Sequence, residues 1–360
     1  MKKVLCLIDT LSLGGGAERQ MAGLAGLLHE KGVDVSLATY HRHDSNDIIY
    51  KRYGIKSTLI ESGPKFYQKL LAVRTFINGG HFDVVIAFKD GATMIASLCK
   101  LMGGNFKLIV SERNTTQVLS RRERFKFWLY RTADVIVPNS HSQGFFIKTN
   151  FKKLASRVVV ITNFVDTNLF KSKTDYSYGN RLKILIVGRI NPQKNIERVI
   201  RVVSRIKKEN LPVSIDWYGG VYVNTAKYAT EIKKEYDDAS ISEYLSFNGD
   251  TLDIADVYRK YDVFCLPSLF EGFPNVLCEA MSCGLPVICS RVCDNPLIVD
   301  EGVNGLLFNP LNEKSIYDAI KTVCSMDKNM LTSMGRKSRE MAEKIFSEEA
   351  FVNKYISLFD

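Results

Sequence analysis

Short apolar runs alternate with amphipathic stretches along the whole chain. In the first half the runs are Val4–Ile8, Val33–Ala38, Val84–Phe88, Leu108–Val110, Val135–Val137 and Val158–Ile161. Between the first two, Met21, Leu24, Ala25 and Leu28 keep the i, i+3, i+4, i+7 spacing of a helix with one buried face, and Gly32 closes it. Strand, helix, strand in that order predicts a parallel sheet. Lys171–Arg181 (KSKTDYSYGNR) is polar, breaks the pattern and reads as an interdomain linker. A second series follows, with strands at Lys183–Val187, Val213–Tyr218, Leu245–Phe247, Val263–Leu266, Val287–Cys289 and Leu306–Phe308, and a helix face of Ile196, Val199, Ile200, Val203 and Ile206. The pattern predicts two Rossmann-like α/β domains, 1–170 and 171–345, facing each other across a cleft.

Bulk composition agrees and narrows the class. A chain of 360 residues is too long for most single cores and suits two domains. Hydrophobic residues at 46% and charged residues at 24% argue against wholesale disorder. The net charge of +10 favours phosphate-rich partners without choosing among nucleic acid, anionic lipid and nucleotide. Five of the eight cysteines fall between Cys265 and Cys293, without a C-x-x-C pair, so small buried thiols in a reducing, cytoplasmic setting are expected rather than a metal site or disulfides. MKKVLCLIDT is interrupted at Asp9 and reads as a first strand rather than a signal peptide. No window approaches the roughly 18 apolar residues of a membrane span, so any membrane contact would be peripheral.

The most informative segment is Pro267–Cys289, PSLFEGFPNVLCEAMSCGLPVIC. A strand ends at Pro267, and a loop carries Glu271, Gly272 and Phe273. Pro274 and Asn275 then open a helix that runs to Cys283, and Gly284 stops it. A helix N-terminus behind a free loop suits an anion, and a carboxylate on either side can accept hydrogen bonds from sugar or ribose hydroxyls. This segment closely resembles the donor-site motif of the retaining family-4 glycosyltransferases, which have the GT-B fold. The resemblance implies that Glu271 contacts the transferred sugar and Glu279 holds the ribose hydroxyls. Gly272, Phe273, Pro274, Asn275 and Val276 would cradle the sugar and diphosphate. It also implies a C-terminal helix, within 346–360, that returns to the first domain.

Three further segments follow strand ends. Gly188-Arg189 and Lys194-Asn195 place a guanidinium and an ammonium five residues apart on a loop that opens a helix, where both can reach a diphosphate. They match the family's positions that bind the donor diphosphate and stabilise the leaving group. Leu13-Gly14-Gly15-Gly16-Ala17-Glu18-Arg19 is a Gly-rich turn that is neither G-x-G-x-x-G nor a P-loop. By resemblance, Gly15 and Gly16 approach the donor phosphates from the opposite domain, and Glu18 supports the loop. Many relatives place a His near Ser111-Glu112-Arg113-Asn114, but the five histidines here are His29, His41, His43, His81 and His141. Glu112, Arg113 and Asn114 are the candidates for that acceptor-side role. His141 reads equally as a substrate contact or as part of a helix cap. Pro64–Ile77 and Arg121–Arg131 are basic and aromatic, and Phe125, Trp128 and Leu129 are expected on one helix face. That face fits an interfacial helix on anionic lipid and equally an ordinary core-facing helix.

The resemblance thus implies a retaining transfer from a nucleotide diphosphate sugar, a UDP-sugar by expectation, without metal or other cofactor. The acceptor would be a glycan or a polyprenyl-diphosphate-linked glycan in surface polysaccharide, capsule or O-antigen synthesis, met peripherally at the cytoplasmic face of the inner membrane. In this fold the acceptor attacks from the leaving-group side and the diphosphate takes the proton. Two other readings remain: a GT-B-like nucleotide-sugar epimerase or phosphorylase, and a basic nucleic-acid-binding protein. The latter lacks any recognisable reading module.

Overall fold

The computed structural model describes residues 2–11, 16–42, 54–176 and 178–360. The chain divides into a first unit, Met1–Phe164 with Glu348–Asp360, and a second unit, Val165–Ser347.

The first unit is built on a parallel six-stranded sheet of β1 (Lys3–Ile8), β2 (Asp34–Thr39), β3 (Ser57–Leu59), β4 (Val84–Phe88), β5 (Lys107–Glu112) and β6 (Val135–Pro138), in the order β3-β2-β1-β4-β5-β6. Alternate residues of β1 serve opposite cores, as a strand covered on both faces requires. Val4, Cys6 and Ile8 meet the helices Gly16–Glu30 and Glu348–Ile356. Leu5 and Leu7 meet a layer of four helices, Phe66–Gly80, Asp90–Leu101, Arg121–Leu129 and His141–Asn150. Met21, Leu24, Ala25 and Leu28 are all buried, as their spacing requires.

The second unit repeats the plan with β7 (Leu182–Val187), β8 (Val213–Tyr218), β9 (Leu245–Phe247), β10 (Val263–Leu266), β11 (Val287–Ser290) and β12 (Gly305–Phe308), in the order β12-β11-β10-β7-β8-β9. Its strands match the sequence expectation almost residue for residue, because each is either a short apolar run or, in β8 and β9, an alternation of apolar and polar residues.

Three features differ from expectation. Val158–Ile161 is not a strand. It makes a single bridge, Ile136 to Val158, beside β6. The edge strand β3 was not foreseen; three half-buried or exposed residues carry too little apolar signal. Lys171–Arg181 belongs to the second unit: the Lys173 amide donates to Cys283 O, its ammonium donates to Tyr261 O, and Tyr178 is buried in the core. Lys173 and Tyr178 tie the segment to the core, while Lys171, Thr174, Asp175 and Gly179–Arg181 are exposed.

Candidate functional site

In each sheet the chain leaves the first strand toward one edge and later returns to the other side of it. Ligands of open α/β sheets bind beyond the C-terminal ends of the strands at that switch point. In the second unit it lies between β7 and β10. β7 leads into Gly188 and Arg189, then a short 3-10 turn, Pro192–Lys194, and the helix Ile196–Lys208. β10 leads into the loop of Glu271 and the helix Asn275–Ser282.

The sequence folds these two loops onto each other with specific bonds. Asn191 Oδ1 caps the 3-10 turn by accepting from the Lys194 amide at 3.2 Å. The Gln193 side-chain amide donates to Phe270 O, and its backbone carbonyl accepts from the Leu269 amide, both at 2.8 Å. Asn195 is fully buried at a φ of 62°, and its side chain donates to Pro267 O at 3.1 Å and Pro310 O at 2.9 Å. Asparagine tolerates that left-handed conformation better than other non-glycine residues. Two glycines permit the close approach. A Cβ on Gly219 would lie 2.1 Å from Gly188 O, and one on Gly188 would lie 2.9 Å from Lys194 Cε.

The result is an ion pair at the switch point. Lys194 Nζ donates to Glu271 Oε1 at 2.7 Å, and both side chains are about nine-tenths covered. The Glu271 amide donates to Cys293 Sγ at 3.4 Å. Arg189 lies over the ring of Tyr222, 4.8 Å from its centroid, with no carboxylate partner among the described residues. On the two loops Lys194 and Arg189 outnumber Glu271, and Glu279, on the helix that follows, brings the carboxylates of this switch point to two. Behind the loop, Phe273 is buried against Phe346. The Tyr258 hydroxyl lies 3.1 Å from both Val276 O and Glu279 Oε2, which fixes the Glu279 carboxylate in the first turns of its helix. Gly272, Pro274, Asn275 and Val276 form the helix start between the two acids. The donor-side candidates of this unit all lie on the two loops or the helix of one switch point.

The first unit's switch point lies between β1 and β4. Gly15 falls outside the described residues, and Gly16 begins the helix Gly16–Glu30. Lys89, just after β4, donates to Asp9 and Glu18 at 2.9 Å each. Burial alone would lower its pKa, but the hydrogen-bonded Glu18 and Asp9 outweigh it and hold the ammonium protonated. Lys89 has φ 72° and ψ 154°, a region few residues other than glycine occupy, at a cost of about 1–3 kcal/mol. Glu18 thus anchors the residue that follows β4.

Glu112 and Arg113 are buried, whereas Asn114 is exposed. Glu112 accepts from Lys126 Nζ at 2.9 Å and from the Tyr130 hydroxyl; Lys126 also reaches Asp90 at 3.2 Å and Glu123 at 2.9 Å. Burial pushes Lys126 down, yet its carboxylate neighbours raise it above the usual lysine range. Arg113 stacks on Phe88 at 3.7 Å and donates to Asn163 Oδ1 at 2.5 Å and Tyr355 OH at 3.1 Å, with no carboxylate partner among the described residues. It ties the C-terminal helix Glu348–Ile356 to the end of β5. His141 is exposed in the first turn of its helix, and Ser140 provides the cap by accepting from the Gln143 amide.

Sequence reasoning missed Lys89, Tyr222, Tyr258 and Cys293, and it placed Lys126 only in a basic, aromatic segment. The four missed residues each lie far along the chain from the group they contact. A lysine directly after an apolar strand was the one local signal, at Lys89. Six of the eight cysteines are buried, and burial pushes Cys6, Cys99 and Cys283 up to about 12, so these thiols stay protonated at neutral pH.

The family described as Glycosyl transferases group 1 matches residues 181–326, and Glycosyltransferase Family 4 matches residues 14–169. An uncharacterized glycosyltransferase of Haemophilus influenzae is 25% identical over 95% of this chain and 96% of its own length. The N-acetylgalactosamine-N,N'-diacetylbacillosaminyl-diphospho-undecaprenol 4-alpha-N-acetylgalactosaminyltransferase of Campylobacter jejuni is 26% identical over 68% of both chains. Among solved structures, Anabaena HepE, seen with UDP and with UDP-glucose, superposes with a TM-score of 0.85 at 19% identity over 99% of both chains. The shared fold is GT-B.

Proposed function

Since this chain belongs to the family-4, group 1 glycosyltransferases, with the GT-B fold, we propose that it transfers a sugar, with retention of configuration, from a UDP-sugar to a polyprenyl-diphosphate-linked glycan during surface polysaccharide assembly. The observation that carries this reading is the Lys194–Glu271 pair at the second unit's switch point, beside an Arg189 that no carboxylate among the described residues neutralises. The named activity of the Campylobacter relative supports the lipid-linked acceptor, and the UDP complexes of HepE support the nucleotide.

The donor diphosphate lies against Arg189 and Lys194, at the start of a helix, and Glu279 accepts hydrogen bonds from the ribose hydroxyls. Glu271 exchanges part of its bond with Lys194 for the sugar, which frees the ammonium for the diphosphate. The bond between the anomeric carbon and the diphosphate oxygen breaks as the acceptor oxygen bonds to that carbon from the same face. The acceptor proton passes to the departing diphosphate. Arg189 and Lys194 stabilise the negative charge that grows on the leaving group, and fixed charges of this kind are usually the main source of rate acceleration in such a site. With two protein cations in that role, turnover is independent of divalent metal. The acceptor is held by the first unit, with Asn114 and His141 as exposed candidates near its strand ends.

The test is a panel of nucleotide sugars. One UDP-sugar should raise the melting temperature, because a ligand that binds only the folded state stabilises it. With an acceptor supplied, the product anomer read by NMR should match the donor's, and a chelator should leave the rate unchanged. An inverted product, or no shift with any UDP- or GDP-sugar, would refute the reading.

A further inference from the structure

The helix Arg121–Leu129 carries its polar and apolar residues on unexpected sides. Its lysine, Lys126, is 3% exposed, held by Glu112, Asp90 and Glu123, while Phe125 and Trp128 are each 49% exposed. The two rings stack on each other with centroids 5.8 Å apart and planes 16° apart. Phe127 and Leu129 fill the core, so Leu129 does not share the outer face with Phe125 and Trp128 as the spacing predicted. Glu123, the helix's one acid, is turned to Lys126 at 2.9 Å. Arg121, Arg122 and Arg124 have no carboxylate partner among the described residues. A lysine drawn into the core and paired there, with an aromatic pair left in water among three cations, is an arrangement that suits an external partner.

We propose that this outer face docks onto an anionic lipid bilayer. Phe125 and Trp128 enter the boundary between headgroups and acyl chains, and Arg121, Arg122 and Arg124 contact lipid phosphates. The choice of a bilayer over a protein partner rests on the lipid-diphosphate acceptor proposed above and on the three unneutralised guanidiniums. The neighbouring helix Phe66–Gly80, in the same layer, adds exposed Tyr67 with Lys65 over its ring at 5.9 Å. No helix among the described residues is long and apolar enough to cross a membrane, so the contact is with the surface. Through Lys126, the docked helix is bonded to Glu112 at the end of β5 and to Asp90 at the start of the neighbouring helix Asp90–Leu101, which holds the C-terminal edge of the first sheet at a fixed attitude to the bilayer.

The experiment uses the full chain and vesicles of phosphatidylcholine, alone or mixed with phosphatidylglycerol, without donor or acceptor. The protein should co-sediment only with the mixed vesicles, and less as salt rises. The chain has two tryptophans, and Trp217 is fully buried, so a blue shift of emission on vesicle binding reports Trp128. Reversing Arg121, Arg122 and Arg124 to Glu should weaken partitioning on the order of a hundredfold, at about fivefold or more per arginine. Trp128→Phe should keep the binding and lose the shift. Wild-type pelleting by the triple variant, pelleting with an unshifted Trp128, or no binding to the mixed vesicles would each overturn the assignment. So would a Trp128 shift produced by soluble glycan and not by vesicles. The melting shift given by the donor, measured on the same variants, should be unchanged, which separates failure of docking from failure of the transfer reading.

Discussion

The switch points of the two sheets hold the same kind of pair and differ in charge balance. In the first unit Lys89 is shared by Asp9 and Glu18, so carboxylates outnumber the cation. In the second unit Lys194 meets Glu271 alone among the described carboxylates, and Arg189 adds a second cation that rests on an aromatic ring. The same α/β plan therefore presents one position where two carboxylates share a cation and one where a guanidinium has no carboxylate partner among the described residues. Fold alone places both positions. Their charge balance is set by a few side chains on the loops beyond the strands.

The difference also appears in how each loop is held. The second unit uses a hydrogen bond accepted by Asn191 and others donated by Gln193 and Asn195, with the positive φ placed on an asparagine that suits it. The first unit holds a lysine in a strained backbone conformation and compensates with two ion pairs.

The sharpest way to break the comparison is Lys194→Ala. Turnover at saturating donor should fall by about two to three orders of magnitude, as when a preorganised charge on the leaving group is lost, and unchanged turnover would remove Lys194 from the chemistry. Lys89→Gly should act differently, because glycine relieves the strained φ while the two carboxylates lose their cation. A net change in stability within about 2 kcal/mol, read from the melting temperature, is expected, with at most a tenfold loss of turnover. If Lys89→Gly lowered kcat as far as Lys194→Ala, the two switch points would share the chemistry and the asymmetry would fail. The smallest effect is expected at Tyr222, which positions Arg189 through its ring. Tyr222→Ala should reduce kcat/KM about two- to fivefold, in line with an exposed cation–π contact, and Tyr222→Phe should restore it. A Phe variant as slow as the Ala variant would mean that the hydroxyl, not the ring, is what matters.

Much of this was legible in the chain. The central strands β7, β10 and β11 of the second unit are almost wholly apolar, and Glu271, Asn275 and Glu279 follow β10 so closely that local structure alone puts them around a helix start. Arg189 and Lys194 follow another in the same way. Edge strand β3 escapes the pattern because its three residues are half-buried or exposed, whereas Val158–Ile161 is a continuous apolar run that forms only one bridge beside β6. The polar run Lys171–Arg181 looked like a linker because Lys173 and Tyr178 spend their polarity and bulk on partners the sequence does not reveal.

Periodicity and neighbours a few positions apart are enough to lay out two parallel α/β units and to put Arg189, Lys194 and Glu271 beyond strand ends with Glu279 in the helix that follows. Only the tertiary structure decided what those residues touch. Lys194 meets Glu271 across 77 positions of chain, Lys89 meets Glu18 across 71, and Arg113 meets Tyr355 across 242. It also decided that Lys126 turns inward while Phe125 and Trp128 turn out. Pairings of that range are set by how strands order themselves in a sheet and by which charges can be buried together, and no local pattern encodes either.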